Sequence, residues 1–126
     1  MNARAKAIRL AILGIGSMYD DASSFLRAGL RSRTDLSNLR DQGIVGNICS
    51  LFYDHNGNFY RFDINHRIIG IELNDLRNIP LSIGIARGIS KVPAILGASQ
   101  GKFVKVLVTD DVAAQAVIEW WWLQSK

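Results

Sequence analysis

Three short apolar runs, each closed by a turn and followed by a helix-like stretch, set the narrowest limit on what this chain can fold into. The runs are Leu10-Ala11-Ile12-Leu13, ending in Gly14-Ile15-Gly16-Ser17; Leu81-Ser82-Ile83-Gly84-Ile85-Ala86, ending in Arg87-Gly88; and Phe103-Val104-Lys105-Val106-Leu107-Val108, ending in Thr109-Asp110-Asp111. Short apolar runs of this kind read as strands buried on both faces. Strand, turn and helix in succession imply parallel strands joined by crossover helices, which is the α/β class.

The helical stretches have recognisable ends. Ser23 or Ser24 starts one that carries Phe25, Leu26 and Leu30, and Thr34 caps another that carries Leu36 and Leu39 and ends at Gly43. Leu73 to Asn78 is stopped by Ile79-Pro80. Ser90 to Ser99 and Val112 to Leu123 complete the set. Between them lies a β-hairpin excursion: Val45 to Tyr53 is β-rich, Asp54-His55-Asn56-Gly57-Asn58 is turn-forming, and Phe59-Tyr60-Arg61-Phe62 resumes. Asn56-Gly57 suits a tight hairpin, whose turn residues need positive φ. A further strand is expected from Arg67 to Ile71.

A chain of 126 residues that is 48% apolar and 21% charged is one domain, neither a disordered tail nor a repetitive scaffold. No apolar run approaches the ~20 residues of a membrane helix, and residues 1–6 lack the apolar stretch of a secretory signal. Cys49 is the single cysteine, so an internal disulfide and a cysteine-rich zinc site are excluded, which fits a reducing cytoplasm. The net charge of +4 is confined to residues 1–40, where seven basic residues face three acids; the rest balances at eight of each sign. No aromatic interleaving, helix-turn-helix or zinc pattern accompanies these basic residues, so they read as a solvated face.

Little in the sequence supports catalysis. His55 and His66 have no ligand-spaced partner, and Cys49 reads as a small buried hydrophobe in mid-strand. Gly14-Ile15-Gly16-Ser17 is the start of a dinucleotide fingerprint without its third glycine, and a tight strand-to-loop turn accounts for it equally well. Asp110-Asp111 heads the last helix, where acids complement the exposed N–H groups and the dipole. Lys91 is the opposite case: it follows Ser90, the expected cap, and Pro93 marks the same first turn. A cation there opposes the dipole at ~0.3–1 kcal/mol. Either it reaches into water at that small cost, or it converges with backbone N–H groups on a phosphate or carboxylate. Asn47 places a two-way amide in an apolar strand, for the backbone or for a sugar hydroxyl. Successive residues on a helix differ by ~100°, so Trp120-Trp121-Trp122 cannot share one buried face. An interface explains the cluster, and so does a frayed terminus.

The order of these pieces resembles the effector-binding domains of SorC/DeoR-type sugar-responsive transcriptional regulators. The resemblance is carried by Leu13 to Ser17, Ser24 to Gly29, Gly43 to Cys49, Phe52-Tyr53-Asp54 with Gly57, Arg67 to Ile71, Leu76-Arg77, Ile79-Pro80, Lys91, Ala94-Ile95-Leu96 and Val106 to Asp110. It implies a partial Rossmann-like fold of the NagB/RpiA/CoA-transferase group, with a phosphorylated sugar bound at the C-terminal ends of the strands and not turned over. It places Lys91 in the effector site, with Asn47 where the family has an acid and Arg87 where it usually has a second glycine. Arg27 and Gly14, Gly16 and Ser17 are further ligand-site candidates. No metal or cofactor is implied. The resemblance also implies that residues 1–126 are part of an effector-binding domain, with an N-terminal DNA-binding domain and the domain's first half absent. DNA would then be reached only through that missing part, and a homo-oligomer could form through Trp120, Trp121 and Trp122. Two alternatives stand beside it: a small sugar-phosphate isomerase or lyase using Lys91, and an oligomerisation fragment that binds no ligand.

Overall fold

A computed structural model describes residues 7–18, 33–59, 62, 65 and 72–124. The expected helix over 23–30, the strand over 67–71 and Arg27 lie outside the described residues.

Two three-stranded sheets organise the rest. In the first, β1 (Leu10–Gly14), β5 (Leu81–Ile85) and β6 (Val106–Val108) lie in the order β1-β5-β6 and are all parallel, as the three apolar runs require. Leu10 stands opposite Leu81, Gly14 opposite Ile85, and Ile85 opposite Val108. In the second, β2 (Gly16–Ser17), β3 (Ile44–Ile48) and β4 (Leu51–Asp54) lie antiparallel in chain order. Among the described residues the helices are α1 (Arg33–Asp41), α2 (Leu73–Leu76), α3 (Val92–Gln100, entered through a 3₁₀ turn over Ile89–Lys91) and α4 (Asp111–Gln124). The architecture is mixed α/β, with a parallel sheet, crossover helices and a hairpin excursion.

Several local expectations change. The hairpin turns at Cys49-Ser50, with φ of 53° and 64°, and not at Asn56-Gly57. Two residues with positive φ are the geometry of a type I′ turn, here made without asparagine or glycine. Cys49 is therefore an exposed turn residue rather than a buried strand residue. Asn56-Gly57 instead closes a local loop: Asp54 Oδ1 accepts from the N–H groups of Asn56 (3.0 Å) and Asn58 (2.8 Å). Gly57 there combines φ +82° with a backbone approach to Gly101 that leaves no room for a Cβ. Of the expected strand Phe59 to Phe62, residues 60 and 61 lie outside the described residues; the Phe62 N–H closes a turn onto the Phe59 carbonyl at 3.3 Å. The edge of β4 is paired by a side chain instead, since Asn65 accepts from the Phe52 N–H (2.7 Å) and donates to the Phe52 carbonyl (2.6 Å). Thr34, the expected cap, lies inside α1.

The core gathers where α3 crosses the hairpin and the parallel sheet. Ile48, Tyr53, Leu76, Ala94, Ile95, Ala98 and Phe103 are buried there, joined by Ala113 and Val117 of α4. Burying a large aliphatic or aromatic side chain contributes ~1.5–3 kcal/mol. Tyr53 anchors the crossing: its hydroxyl, wholly buried, donates to the Ala94 carbonyl at 2.7 Å. Lys105 closes the far end of α2, donating to the carbonyls of Ile79 (2.7 Å) and Arg77 (3.0 Å).

The parallel strands are not buried on both faces. Ala11, Leu13 and Leu107 pack into the core on one side, whereas Leu10, Ile12, Leu81, Ile85, Val106 and Val108 on the other side are exposed. The cause is the placement of the helices: α3 and α4 pack against each other and share one core cluster with Ala11, Leu13 and Leu107, so only that side of the sheet is covered by them.

Candidate functional site

The candidate residues converge where the two sheets meet, at the C-terminal ends of β1 and β5. Strand β1 ends at Gly14, and the chain continues directly into β2, because the Ile15 N–H still donates to the Ile85 carbonyl at 3.0 Å. Gly16 and Ser17 then leave the parallel sheet and pair with Asn47 and Gly46 of β3. A Cβ on Gly16 would lie 2.5 Å from the Asn47 amide nitrogen, so this glycine lets the Asn47 side chain lie across the β2 backbone. Asn47 is half-buried, and its neighbours on β3, Gly46 and Ile48, are buried.

On the other side of β2 stands the turn that carries Lys91. Ser17 is 1% exposed, and its hydroxyl donates to the Ser90 carbonyl at 2.8 Å. This bond spans 73 residues of sequence and fixes the 3₁₀ turn against β2. Ser90 consequently serves through its carbonyl rather than as a side-chain cap. Neither the turn nor α3 has a side-chain cap bond, and Lys91 itself occupies the N-cap position of α3 with φ −82°. Pro93 sits in the first turn, as expected. The Gly16–Ser17 turn, Asn47 and the Lys91 turn thus form one contiguous patch.

Arg87 and Gly88 lead into that turn from β5. Gly88 has φ +103° and donates its N–H to Asp110 Oδ2 at 2.5 Å. Asp110 Oδ1 accepts from the Ala113 N–H at 2.8 Å, which caps α4. Those contacts hold the Asp110 carboxyl below the usual carboxylate range: the Ala113 N–H contributes most, then the Gly88 N–H, with the Arg87 charge adding to them. Asp110 was legible in the sequence as a helix-end acid, and it is one. Its second partner, 22 residues away, was not legible, and through it Asp110 ties the Lys91 turn to α4. Thr109, next to it, has a buried hydroxyl oxygen without a hydrogen-bond partner in the structure.

Gly14, with open space around its Cβ position, and Arg87, which is exposed, flank the patch. Among the described residues no group of three or more histidines, cysteines or carboxylates could hold a metal, and no helix is long and apolar enough to cross a membrane. At the far end of α4, Trp120 and Trp121 stack edge to face at 5.3 Å while Trp122 is 63% exposed. This agrees with the ~100° step between successive helical residues.

The chain matches the Sugar-bind family, described as "Putative sugar-binding domain", over residues 2–119. It is 40% identical over 113 residues to the deoxyribonucleoside regulator of Bacillus subtilis, a match covering 90% of this chain and 36% of that one. Among solved structures, a DeoR family transcriptional regulator from Listeria monocytogenes superposes with a TM-score of 0.80 at 30% identity, covering 89% of this chain and 45% of that one. The full-length sorbitol operon regulator SorC of Klebsiella pneumoniae superposes with a TM-score of 0.77 at 32% identity, covering 91% and 37%. The chain therefore spans about a third of the length of the curated regulator it matches. With a parallel sheet, a hairpin excursion and a polar turn patch at the strand ends, the chain belongs to the sugar-binding domain family of DeoR/SorC-type transcriptional regulators.

Proposed function

We propose that this chain senses a phosphorylated sugar at the patch formed by Gly16, Ser17, Asn47 and Lys91, and that it binds this effector without turning it over. The observation that carries the reading is the Ser17–Ser90 hydrogen bond, which seats the Lys91 turn against the strand pair holding Asn47. Open α/β sheets take ligands at this end of their strands. The Lys91 ammonium and the first N–H groups of α3 would meet the phosphate, and the Asn47 amide would serve a sugar hydroxyl. Arg87 and the Gly14 turn would border the ligand. The relatives' names, a deoxyribonucleoside regulator and a sorbitol operon regulator, fit a carbohydrate-related effector.

A regulator built this way acts on DNA through a separate domain, by coupling effector occupancy to the arrangement of its subunits. The exposed α4 surface around Ile118 and Trp122 is the proposed contact between subunits. The test is a thermal-stability titration with a panel of pentose and hexose phosphates. A ligand that binds only the folded state, present at 100 times its Kd, stabilises by about 2.7 kcal/mol. Lys91→Ala is expected to remove the shift, and Trp121→Ser to weaken self-association on gel filtration. If no panel member shifts the wild-type melt, or if Lys91→Ala leaves the shift intact, the site assignment fails. Chemical conversion of a panel member would mark an enzyme instead.

A further inference from the structure

A reactive dipeptide lies apart from the effector patch. Of the asparagines in the chain, only Asn56 is followed by glycine, and it stands exposed in the loop from Asp54 to Asn58. Asparagine is chemically labile, most of all before glycine, because no Cβ shields the glycine nitrogen from the neighbouring side-chain carbonyl carbon. The fold nevertheless requires glycine at this position. Gly57 is buried with φ +82°, and a Cβ on it would overlap the main chain of Gly101, which ends α3, and lie 3.1 Å from the Gly97 carbonyl oxygen. The loop restrains the glycine nitrogen instead. The Gly57 N–H donates to the Asp54 carbonyl at 2.9 Å, and the Asp54 N–H donates to the Asn58 carbonyl at 3.0 Å. Asp54, 4% exposed, adds its carboxylate, whose Oδ1 accepts from the N–H groups of Asn56 and Asn58. The electrophilic side chain is thus open to water, while the nucleophile is buried and engaged.

We propose that Asn56 is a succinimide-forming modification site that the closed loop holds shut, so that its conversion to aspartate and isoaspartate proceeds only through local opening of residues 54–58. Once the loop opens, the Gly57 N–H gives its proton to hydroxide and the nitrogen attacks Asn56 Cγ. The bond from Cγ to the side-chain amide nitrogen breaks, and that nitrogen takes a proton from water and leaves as ammonia. Water then opens the cyclic imide. Addition at Cγ releases the Gly57 nitrogen from the side chain and leaves aspartate with an ordinary main chain. Addition at the Asn56 main-chain carbonyl leaves isoaspartate, whose chain runs on through Cγ. Nothing is oxidised or reduced, and water is the only co-reactant. Reclosing is denied to isoaspartate, because its extra main-chain methylene falls where Gly57 already abuts Gly101. Conversion therefore runs one way and registers each opening of the loop against the end of α3. The proposal rests on the loop alone and is independent of the effector reading.

The experiment ages the 126-residue chain in mildly alkaline buffer, native and in guanidinium chloride. Asn56 is followed by peptide mapping, and isoaspartate by enzymatic carboxyl methylation. Conversion at Asn56 is expected to be about tenfold or more slower in the native chain than in the unfolded one. Asn56→Ser should remove the native methylation signal. Asp54→Ala deletes the Oδ1 acceptor and should raise the native rate about fivefold or more, with circular dichroism reporting that the fold is kept. Independently of that variant, the wild-type chain is taken through sub-denaturing guanidinium chloride. There, conversion and hydrogen exchange of the Gly57 N–H should rise in parallel, since both need the same opening. The purified isoaspartate form should not regain protection of that N–H. Equal rates in the native and unfolded chains overturn the proposal. So does a conversion rate that stays flat while Gly57 exchange rises, an unchanged rate in folded Asp54→Ala, a native signal that survives Asn56→Ser, or an isoaspartate form protected like wild type.

Discussion

Gly46→Ala is the sharpest test of how the Lys91 turn is held in place. A Cβ at position 46 would lie 2.5 Å from the Ala94 Cβ, 2.7 Å from the Gly16 carbonyl oxygen and 2.9 Å from the Tyr53 hydroxyl. Carbon atoms in contact settle near 3.5–4.0 Å, so the Ala94 contact alone is about 1 Å too short. None of the three neighbours can swing away. Ala94 has no rotamer to change, Gly16 belongs to a paired backbone, and the Tyr53 hydroxyl is tied to the Ala94 carbonyl. Strand β3 and helix α3 must therefore separate. Forcing a methyl into a packed contact costs ~1–3 kcal/mol, and loosening the Tyr53 bond adds ~0.5–1.5 kcal/mol. The expected loss is about 2–4 kcal/mol, read by urea unfolding followed by circular dichroism. Ala94→Gly removes the closest clash at a helix-propensity cost of ~1 kcal/mol. The double variant should then recover at least ~1 kcal/mol relative to the sum of the singles, as contacting residues do. Additivity within ~0.5 kcal/mol, or a Gly46→Ala cost below that figure, would refute the claim that this glycine sets the approach of α3.

Two further predictions concern the turns. Because Asp110 is held below its ordinary value of 3.8, its contribution to stability is fully present above that pH and is lost as the pH falls through the lowered value. Asp110→Asn should flatten this part of the acid limb in a series of thermal melts, and a slope matching wild type would show that the carboxylate is not the group responsible. Replacing Cys49-Ser50 by Asn-Gly supplies residues that favour the left-handed geometry both positions already adopt. The left-handed conformation costs an ordinary residue roughly 1–2 kcal/mol, so the exchange should raise the melting temperature, and a fall would mean that the turn is not of this type.

The parts of the fold that were legible in the sequence are those where local pattern and tertiary demand agree. Runs such as Leu10 to Leu13 and Leu81 to Ala86 had no alternative to a strand, and Pro93 marked the first turn of α3 as a helix start. The hairpin was misplaced because its turn chemistry points the wrong way. Asn56-Gly57 is the better turn dipeptide, but the fold spends it on a loop against Gly101, while the hairpin closes at Cys49-Ser50 on pairings such as Asn47 with Phe52. Sidedness was hidden for a different reason. Alternation along β5 is faint, since Ser82 and Gly84 are small and the facing residues are all aliphatic, so the run looks buried on both faces. In the site, Lys91 and Asn47 were visible as residues at odds with their surroundings. The bonds that organise them, Ser17 to Ser90 and Gly88 to Asp110, cross 73 and 22 residues and leave no local signature.

Those two long-range bonds also bear on how binding at the turn would be transmitted. The 3₁₀ turn is fastened on one side to β2, and through it to the hairpin, by the Ser17 hydroxyl. On the other side Asp110 fastens Gly88 to the first turn of α4, the helix whose distal end carries Ile118 and Trp122 on its surface. A ligand can shift an arrangement only by its differential affinity for two states. An anion drawn to the Lys91 turn competes electrostatically with Asp110, the carboxylate that accepts the Gly88 N–H. Effector binding at this patch would thus act on the junction between the turn and α4. On the proposed reading, binding and subunit contact would be linked through this one carboxylate.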